Sequence, residues 1–368
     1  MHIALVLGAG ASLANAEHFR PERGLDTHPP LDTTFFQKLR VRQVPLHPAL
    51  RTYFRRLYGS VPPPAALERL RMEEVFKDIY YDFQDNPADP NLRRAYLELI
   101  TAYIRVLRDT TNWLCADNRR GAPIGRLLNS AASAADQVSV ITFNHDLVIE
   151  NEILKRARLR SRWCLERGYG SMTNALSPLH TAATTPLFPS HSAACDHAHP
   201  ITLHKLHGSL NWIFRLNARF PSARQLTGQA TPPQLLLTQR REIPTRLRYN
   251  ASRRGRGRTT WQTWPLIIPP IYTKQAFIRL VQPAWNDARQ AIADCDAVLF
   301  FGYSVPPTDI EAEKLFQRGL NANQKLRAIN VINPDPASAA RYGSIVQRKI
   351  LRWHPNHDAF LQANSAWT

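Results

Sequence analysis

Near its amino terminus the chain runs Ala4-Leu5-Val6-Leu7 and then breaks at Gly8-Ala9-Gly10-Ala11-Ser12. A short, unbroken apolar run bounded by a glycine turn reads as a strand buried on both faces, the kind found in parallel α/β sheets. A glycine turn after the first strand of such a sheet lets backbone N–H groups approach a phosphate, because no Cβ stands in the way. The strict dinucleotide fingerprint wants glycine where this chain has Leu13, which disfavours an ordinary dehydrogenase. The same residues make a poor secretory leader. No Lys or Arg precedes the apolar run, and Gly8 and Gly10 interrupt it.

Three later segments repeat the pattern of an apolar strand that ends in small or polar residues. Residues 138–142 run into Phe143-Asn144-His145-Asp146, residues 297–301 into Gly302-Tyr303-Ser304, and residues 328–332 into Asn333-Pro334-Asp335. In open parallel sheets, ligands bind beyond the carboxyl ends of the strands, so these residues are placed like the glycine turn. The expected fold class is therefore α/β: one Rossmann-like, mostly parallel sheet with helices on both faces and an irregular or helical insertion. Apolar spacing predicts helices over 65–83, 92–114, 123–135, 147–157, 277–294 and 309–320. Asp32-Thr33-Thr34 reads as the N-cap of a short helix through Phe35, Phe36 and Leu39, and 45–64 is broken by prolines. Shorter strands are expected at 201–206, 211–214, 235–238 and 265–268. The whole chain, 1–368, reads as a single domain with a helical insertion at 35–135 and an irregular one at 160–265.

Composition narrows the classes. The 368 residues suffice for a substantial core, and no apolar stretch is long enough to span a bilayer. Cys115, Cys164, Cys195 and Cys295 are scattered, which is no disulfide framework and fits a reducing cytoplasm. The net charge of +18 favours anionic partners and is partly local. Between 239 and 258 stand Arg240, Arg241, Arg246, Arg248, Arg253, Arg254, Arg256 and Arg258, opposed by Glu242 alone. With Gly255 and Gly257 interleaved, this segment reads as a loop: either a phosphate-tracking arm or dock for an acidic partner, or merely solvated.

Taken in order, these motifs resemble those of the sirtuin superfamily. Gly8-Ala9-Gly10 with Ser12 looks like the sirtuin loop that cradles the pyrophosphate of NAD. Thr142-Phe143-Asn144-His145-Asp146 is similar to the sirtuin Thr-Gln-Asn-x-Asp segment, and Leu206-His207-Gly208 to its His-Gly. Gly302-Tyr303-Ser304 resembles the Gly-Thr-Ser that meets ribose and phosphates, and Asn333 the asparagine near the adenosine ribose. The resemblance implies NAD as substrate, with Gly8, Ala9, Gly10, Ser12, Asp32, Gly302, Ser304 and Asn333 binding it. It implies catalysis by Asn144, Asp146 and His207, the histidine acting as general base toward ribose hydroxyls or water. His204 stands nearby as a decoy, and His145 is expected to face away if strand alternation extends that far.

The departures from that pattern set the subclass. The two Cys-x-x-Cys pairs of the deacylase zinc module are missing, and Cys195 with His191, His197 and His199 is the weaker reading of a metal site, so no metal is expected. Pro30-Leu31-Asp32 stands near the sirtuin Pro-Asp-Phe-Arg position without the arginine, which counts against an acyl-lysine tunnel. Gly-Tyr-Ser followed by an acid such as Asp309 resembles the NAD-hydrolysing effectors of bacterial antiphage defence. That implies an NAD glycohydrolase gated by homo-oligomerisation or by a partner such as a HerA-type ATPase, with nucleic acid a further partner through Arg240 to Arg258. A sirtuin-type deacylase or ADP-ribosyl transferase, and a non-catalytic nucleic-acid- or NAD-binding module, are the competing readings.

Overall fold

The apolar run at the amino terminus forms strand β1, His2–Leu7, with Ile3 to Leu7 all buried. The computed structural model describes residues 1–19, 28–116, 121–164, 167–178, 198–216, 235–237, 247–251, 259–271, 274–306, 309–346, 351–363 and 367. Parallel to β1 lie β2 (Gln137–Thr142) on one side and, on the other, β9 (Ala297–Phe301). Outside these come β4 (Ile201–Lys205), β10 (Ala328–Ile332) and β11 (Leu351–His354), giving the order β11-β10-β9-β1-β2-β4. Every pair in this six-stranded sheet is parallel. The residues of β9 and β10 are buried throughout, so both faces of the central strands are covered, as in a doubly wound α/β sheet.

The chain lays down β2 and β4 on one side of β1 and then returns to the other side for β9, β10 and β11. The order therefore reverses between β1 and β9, the place where α/β sheets open a crevice at their carboxyl ends. Register brings those ends level. Leu7 stands beside Thr142 and Phe301, Thr142 beside Lys205, and Phe301 beside Ile332.

Where one sheet was expected there are two. A second sheet contains β3 (Leu176–Pro178), β5 (Gly208–Leu216), β6 (Leu235–Leu237), β7 (Leu247–Ala251) and β8 (Thr259–Ile267), in the order β3-β6-β5-β8-β7. Its pairs are antiparallel except β3 with β6. Arg248 thus lies on a strand rather than in a loop, while Arg240, Arg241, Arg246, Arg253, Arg254, Arg256 and Arg258 lie outside the described residues. Strand β5 starts one residue after His207, so that histidine marks where the chain leaves one sheet for the other.

Helices between β1 and β2 build a cap over the same end. Pro48–Tyr58 is a helix, because Pro48 occupies its first turn, where no N–H is needed. The single helix expected over 65–83 is two, Pro64–Leu67 and Met72–Asp85. The 27-residue helix Pro90–Ala116, about 40 Å long, carries Tyr96 and Tyr103 into an edge-on aromatic cluster with Phe35 and Phe76. Among the described residues no helix is long and apolar enough to cross a membrane.

Candidate functional site

The two glycine turns meet at the reversal point. Gly8 N–H donates to the Phe301 carbonyl at 3.0 Å and Gly10 N–H to the Gly302 carbonyl at 2.9 Å. A Cβ on Gly8 would lie 2.5 Å from the Gly302 oxygen, and one on Gly302, whose φ is +62°, 2.1 Å from the Ala11 nitrogen. The missing side chains thus serve the approach of one turn to the other. The expected phosphate donors at Gly8 and Gly10 are already spent on that contact. Ala9, Gly10, Gly302 and Ser304 nonetheless line the cleft beyond the strands.

Behind the turn, Ser12 is fully buried on the helix Ala9–His18. Its hydroxyl donates to Asp146 Oδ2 at 2.8 Å and accepts from Asn144 Nδ2 at 2.9 Å. The other Asn144 amide proton goes to the Gly8 carbonyl at 2.8 Å. Thr142 Oγ1 completes the frame, donating to the Leu7 carbonyl and accepting from Asn144 N–H. Asp146 Oδ1 accepts from Val148 N–H at the start of the next helix. Ser12 and Asp146 therefore hold Asn144 in place, and the Asn144 side-chain oxygen is what that residue has left to offer a ligand.

Lys205, at the end of β4, props this segment from beneath: its buried ammonium donates to the Asp146 carbonyl and pairs with Glu150 at 3.0 Å. Glu150 also accepts from Tyr169, which accepts from Asn211 on β5. Burial pushes the Glu150 carboxyl above its ordinary range, with Lys205 opposing.

His207 is buried at the cleft wall, and its Nε2 has no hydrogen-bond partner among the described residues. Asp309 Oδ2 stands 3.7 Å from that nitrogen and accepts from Tyr303 Oη at 2.9 Å. Lys274 Nζ lies 3.2 Å from the other Asp309 oxygen, an ion pair without hydrogen-bond alignment. Burial first, then the Lys274 ammonium and His145, push His207 well below the ordinary histidine range. The ring is neutral at pH 7. Phe143 packs edge-on against it with centroids 5.1 Å apart and stacks on Tyr303 at 4.3 Å.

His145 turns into the cleft, not away from it, because residues 143–146 follow β2 as irregular chain and strand alternation no longer applies. Its Nε2 faces the Ile268 carbonyl at 3.2 Å and must carry the proton, so Nδ1 accepts from Tyr103 Oη at 3.1 Å. Asp32 caps a different helix from the one expected: Oδ1 accepts from Glu73 N–H, and Oδ2 pairs with Arg71 at 2.6 Å. Arg71 and Asp32 both line the cleft.

The cleft has a volume of 410 Å³ and gathers Ala9, Gly10, Asp32, Asn144, Asp146, His207, Gly302 and Ser304 from the expected set. Gly8, Ser12 and Asn333 do not line it. Asn333 Oδ1 accepts from Asp335 N–H in a local turn at the end of β10. His204 also stays outside, accepting from or donating to Thr202 at 3.2 Å. Lys274, Tyr103 and Arg71 also line the cleft, outside every motif read from the sequence. Nothing in local spacing marks them, since each arrives from an element remote in sequence. Among the described residues no group of three His, Cys, Asp or Glu could hold a metal; Cys195, His191 and His197 lie outside them.

No protein-family model matches the chain, and no curated protein matches it. Among solved structures it is similar to a Sir2 homologue mutant bound to 2′-O-acetyl ADP-ribose: 12% identity, TM-score 0.39, 92% of this chain and 82% of that one. A structure described as the basis for the mechanism and regulation of Sir2 enzymes overlaps at 14% identity and TM-score 0.35, over 97% of this chain and 88% of the other. A third, a Sir2 homologue mutant with ADP-ribose, gives 12% and 0.36, over 94% and 90%. Overlaps this loose establish neither family nor chemistry. The α/β architecture stands on the strand pairing itself.

Proposed function

We propose that the chain is an NAD glycohydrolase, cleaving NAD to ADP-ribose and nicotinamide. The observation that carries this reading is the convergence in one cleft, at the carboxyl ends of β1, β2, β4 and β9, of Asn144, Asp146 and His207, whose Nε2 has no hydrogen-bond partner among the described residues. Ala9, Gly10, Asn144, Asp146, His207, Gly302 and Ser304, from the motifs that resemble the sirtuin superfamily, line this cleft and support the reading, whereas Asn333 stands outside it.

In this reading the bond from nicotinamide nitrogen to ribose C1′ breaks, and its electron pair stays on the leaving nicotinamide, which becomes neutral. Glycosidic cleavage of this kind develops positive charge on the sugar. Water supplies the oxygen that bonds to C1′ and gives a proton to His207 Nε2, which returns it to solvent. The Asn144 side-chain oxygen orients the water or a ribose hydroxyl. Asp146 is a positioning residue, since both its oxygens are engaged with Ser12 and Val148. A constitutive NADase would poison its host, so the reading includes a gate: an antiphage effector silent until oligomerisation or a partner such as a HerA-type ATPase releases it.

Arg71 beside Asp32 favours a second reading, a sirtuin-type deacylase or ADP-ribosyl transferase, because it restores the cation that the motif near Asp32 lacks. One assay separates the two. NAD is incubated with the purified chain, alone and with the products of neighbouring genes, with and without acyl-lysine peptide. ADP-ribose and nicotinamide formed without peptide, and abolished by Asn144→Ala and His207→Ala, support the glycohydrolase. Nicotinamide release that requires the peptide supports the deacylase and overturns the first reading.

A further inference from the structure

The mechanism above leaves one buried cation of the cleft unused. Lys274, just before the short helix Gln275–Ile278, is buried at the cleft wall beside Asp309. We infer that Lys274 is a positioning residue: its ammonium occupies the Asp309 carboxylate and so leaves His207 without the proton that this carboxylate would otherwise draw onto it. The inference deepens the NAD-cleavage reading and rests on it for its consequence on turnover, but not for the charge arrangement itself.

A bare carboxylate buried among aromatic rings is costly, and it needs one positive charge beside it. Among the described residues Asp309 has two neighbours able to hold that charge, Lys274 at 3.2 Å and His207 at 3.7 Å. An ammonium ordinarily binds its proton about four pH units more tightly than an imidazole, so Lys274 holds the charge and His207 stays neutral. Tyr303 donates to Asp309 and adds no charge. The other groups facing His207 are His145 after β2, itself held neutral, and the rings of Phe143 and Trp285. Take Lys274 away and the compensating proton has two seats left, the carboxylate itself and the His207 ring. An imidazole is ordinarily the stronger base by about two to three pH units. A protonated His207 has no lone pair with which to accept a proton from water.

The test is an NMR titration of the full chain labelled in its histidine side chains, with the His207 signal assigned by its loss in His207→Gln. Wild type is compared with Lys274→Met, Lys274→Arg and the double variant Lys274→Met/Asp309→Asn, and Lys274→Gln stands in should Lys274→Met fail to fold. In the wild type His207 stays neutral through the folded pH range. In Lys274→Met its midpoint rises by about one pH unit or more, the size expected for a newly unmasked opposite charge. Lys274→Arg and the double variant restore the wild-type behaviour. In kcat/KM for NAD, the acid limb moves to higher pH by the same amount. A His207 midpoint unmoved in Lys274→Met or Lys274→Gln overturns the inference. A midpoint that moves in a chain that turns over no NAD in any assembly overturns the proposed function instead and leaves the charge arrangement standing.

Discussion

The Ser12 hydroxyl donates to Asp146 Oδ2 at 2.8 Å, tying the first helix of the chain to a segment 134 positions away. The same oxygen receives an Asn144 proton, so one small side chain fixes both polar residues that follow β2. Ser12→Ala removes both bonds and leaves a buried carboxylate oxygen and an amide proton unpaired. We expect a loss of about 1–3 kcal/mol in stability, measured by urea unfolding. Turnover of NAD should fall by about a hundredfold, because Asn144 loses one of its two anchors and small misplacements are costly.

The parts of this arrangement that the sequence displayed are those with a local signature. Strands β1, β2, β9 and β10 are buried on both faces and read as short apolar runs. Strand β11, at the sheet edge, carries Arg352, Trp353 and His354 and gives no such run. Glycine has two uses that look alike in sequence: Gly8 and Gly302 read as room for a phosphate, yet the space is filled by each other's turn. Lys274 and Arg71 join the cleft only through tertiary packing, so no spacing rule reaches them. Asp32 reads as a helix cap, but the N–H it caps, that of Glu73 in the helix Met72–Asp85, lies 41 residues further on.

The interlocked glycine turns give a paired test. Gly302 and Gly59 both have positive φ, +62° and +74°, but a Cβ at Gly59 meets nothing within 4 Å whereas at Gly302 it meets backbone at 2.1 Å. Gly59→Ala should cost about 1–2 kcal/mol, the price of the left-handed backbone alone. Gly302→Ala should exceed about 4 kcal/mol or yield no folded chain, since Ala11 and Gly10 must move as well. Denaturation midpoints of the two variants check this, and equal losses would mean that the turns are not interlocked.

Acid should weaken the fold earlier than its carboxylates alone would require. Burial, followed by Lys205, pushes His145 down to about 3, and burial pushes His204 down to about 4. Both titrate near 6.5 when unfolded, so below that pH the unfolded chain binds more protons and stability falls. Each group contributes up to about 1.4 kcal/mol per pH unit, in full above pH 6.5 and lost as the pH falls through its folded value. Glu150, pushed up by burial, acts with the opposite sign just above the usual carboxylate range. Urea midpoints between pH 7 and pH 5 should therefore drop, and the drop should be shallower in His204→Gln and His145→Gln. Identical slopes in the variants would show that neither ring is held neutral.

The buried pair beneath the site makes the last prediction. Lys205 and Glu150 are both fully inaccessible, 3.0 Å apart, and Glu150 Oε2 has no hydrogen-bond partner among the described residues. Removing one partner strands the other charge in a medium that solvates it poorly. Lys205→Met should thus cost about 3–5 kcal/mol, whereas Lys205→Met/Glu150→Gln should recover most of that loss. The recovered stability would not restore function in the same measure. Lys205 also donates to the Asp146 carbonyl, a bond that the double variant still lacks. We expect a double variant with near wild-type unfolding midpoint but lowered kcat for NAD, with KM little changed, because Asp146 positions Asn144 for the reaction. Stability and kcat recovering together would mean that Lys205 serves the fold and has no part in holding the site.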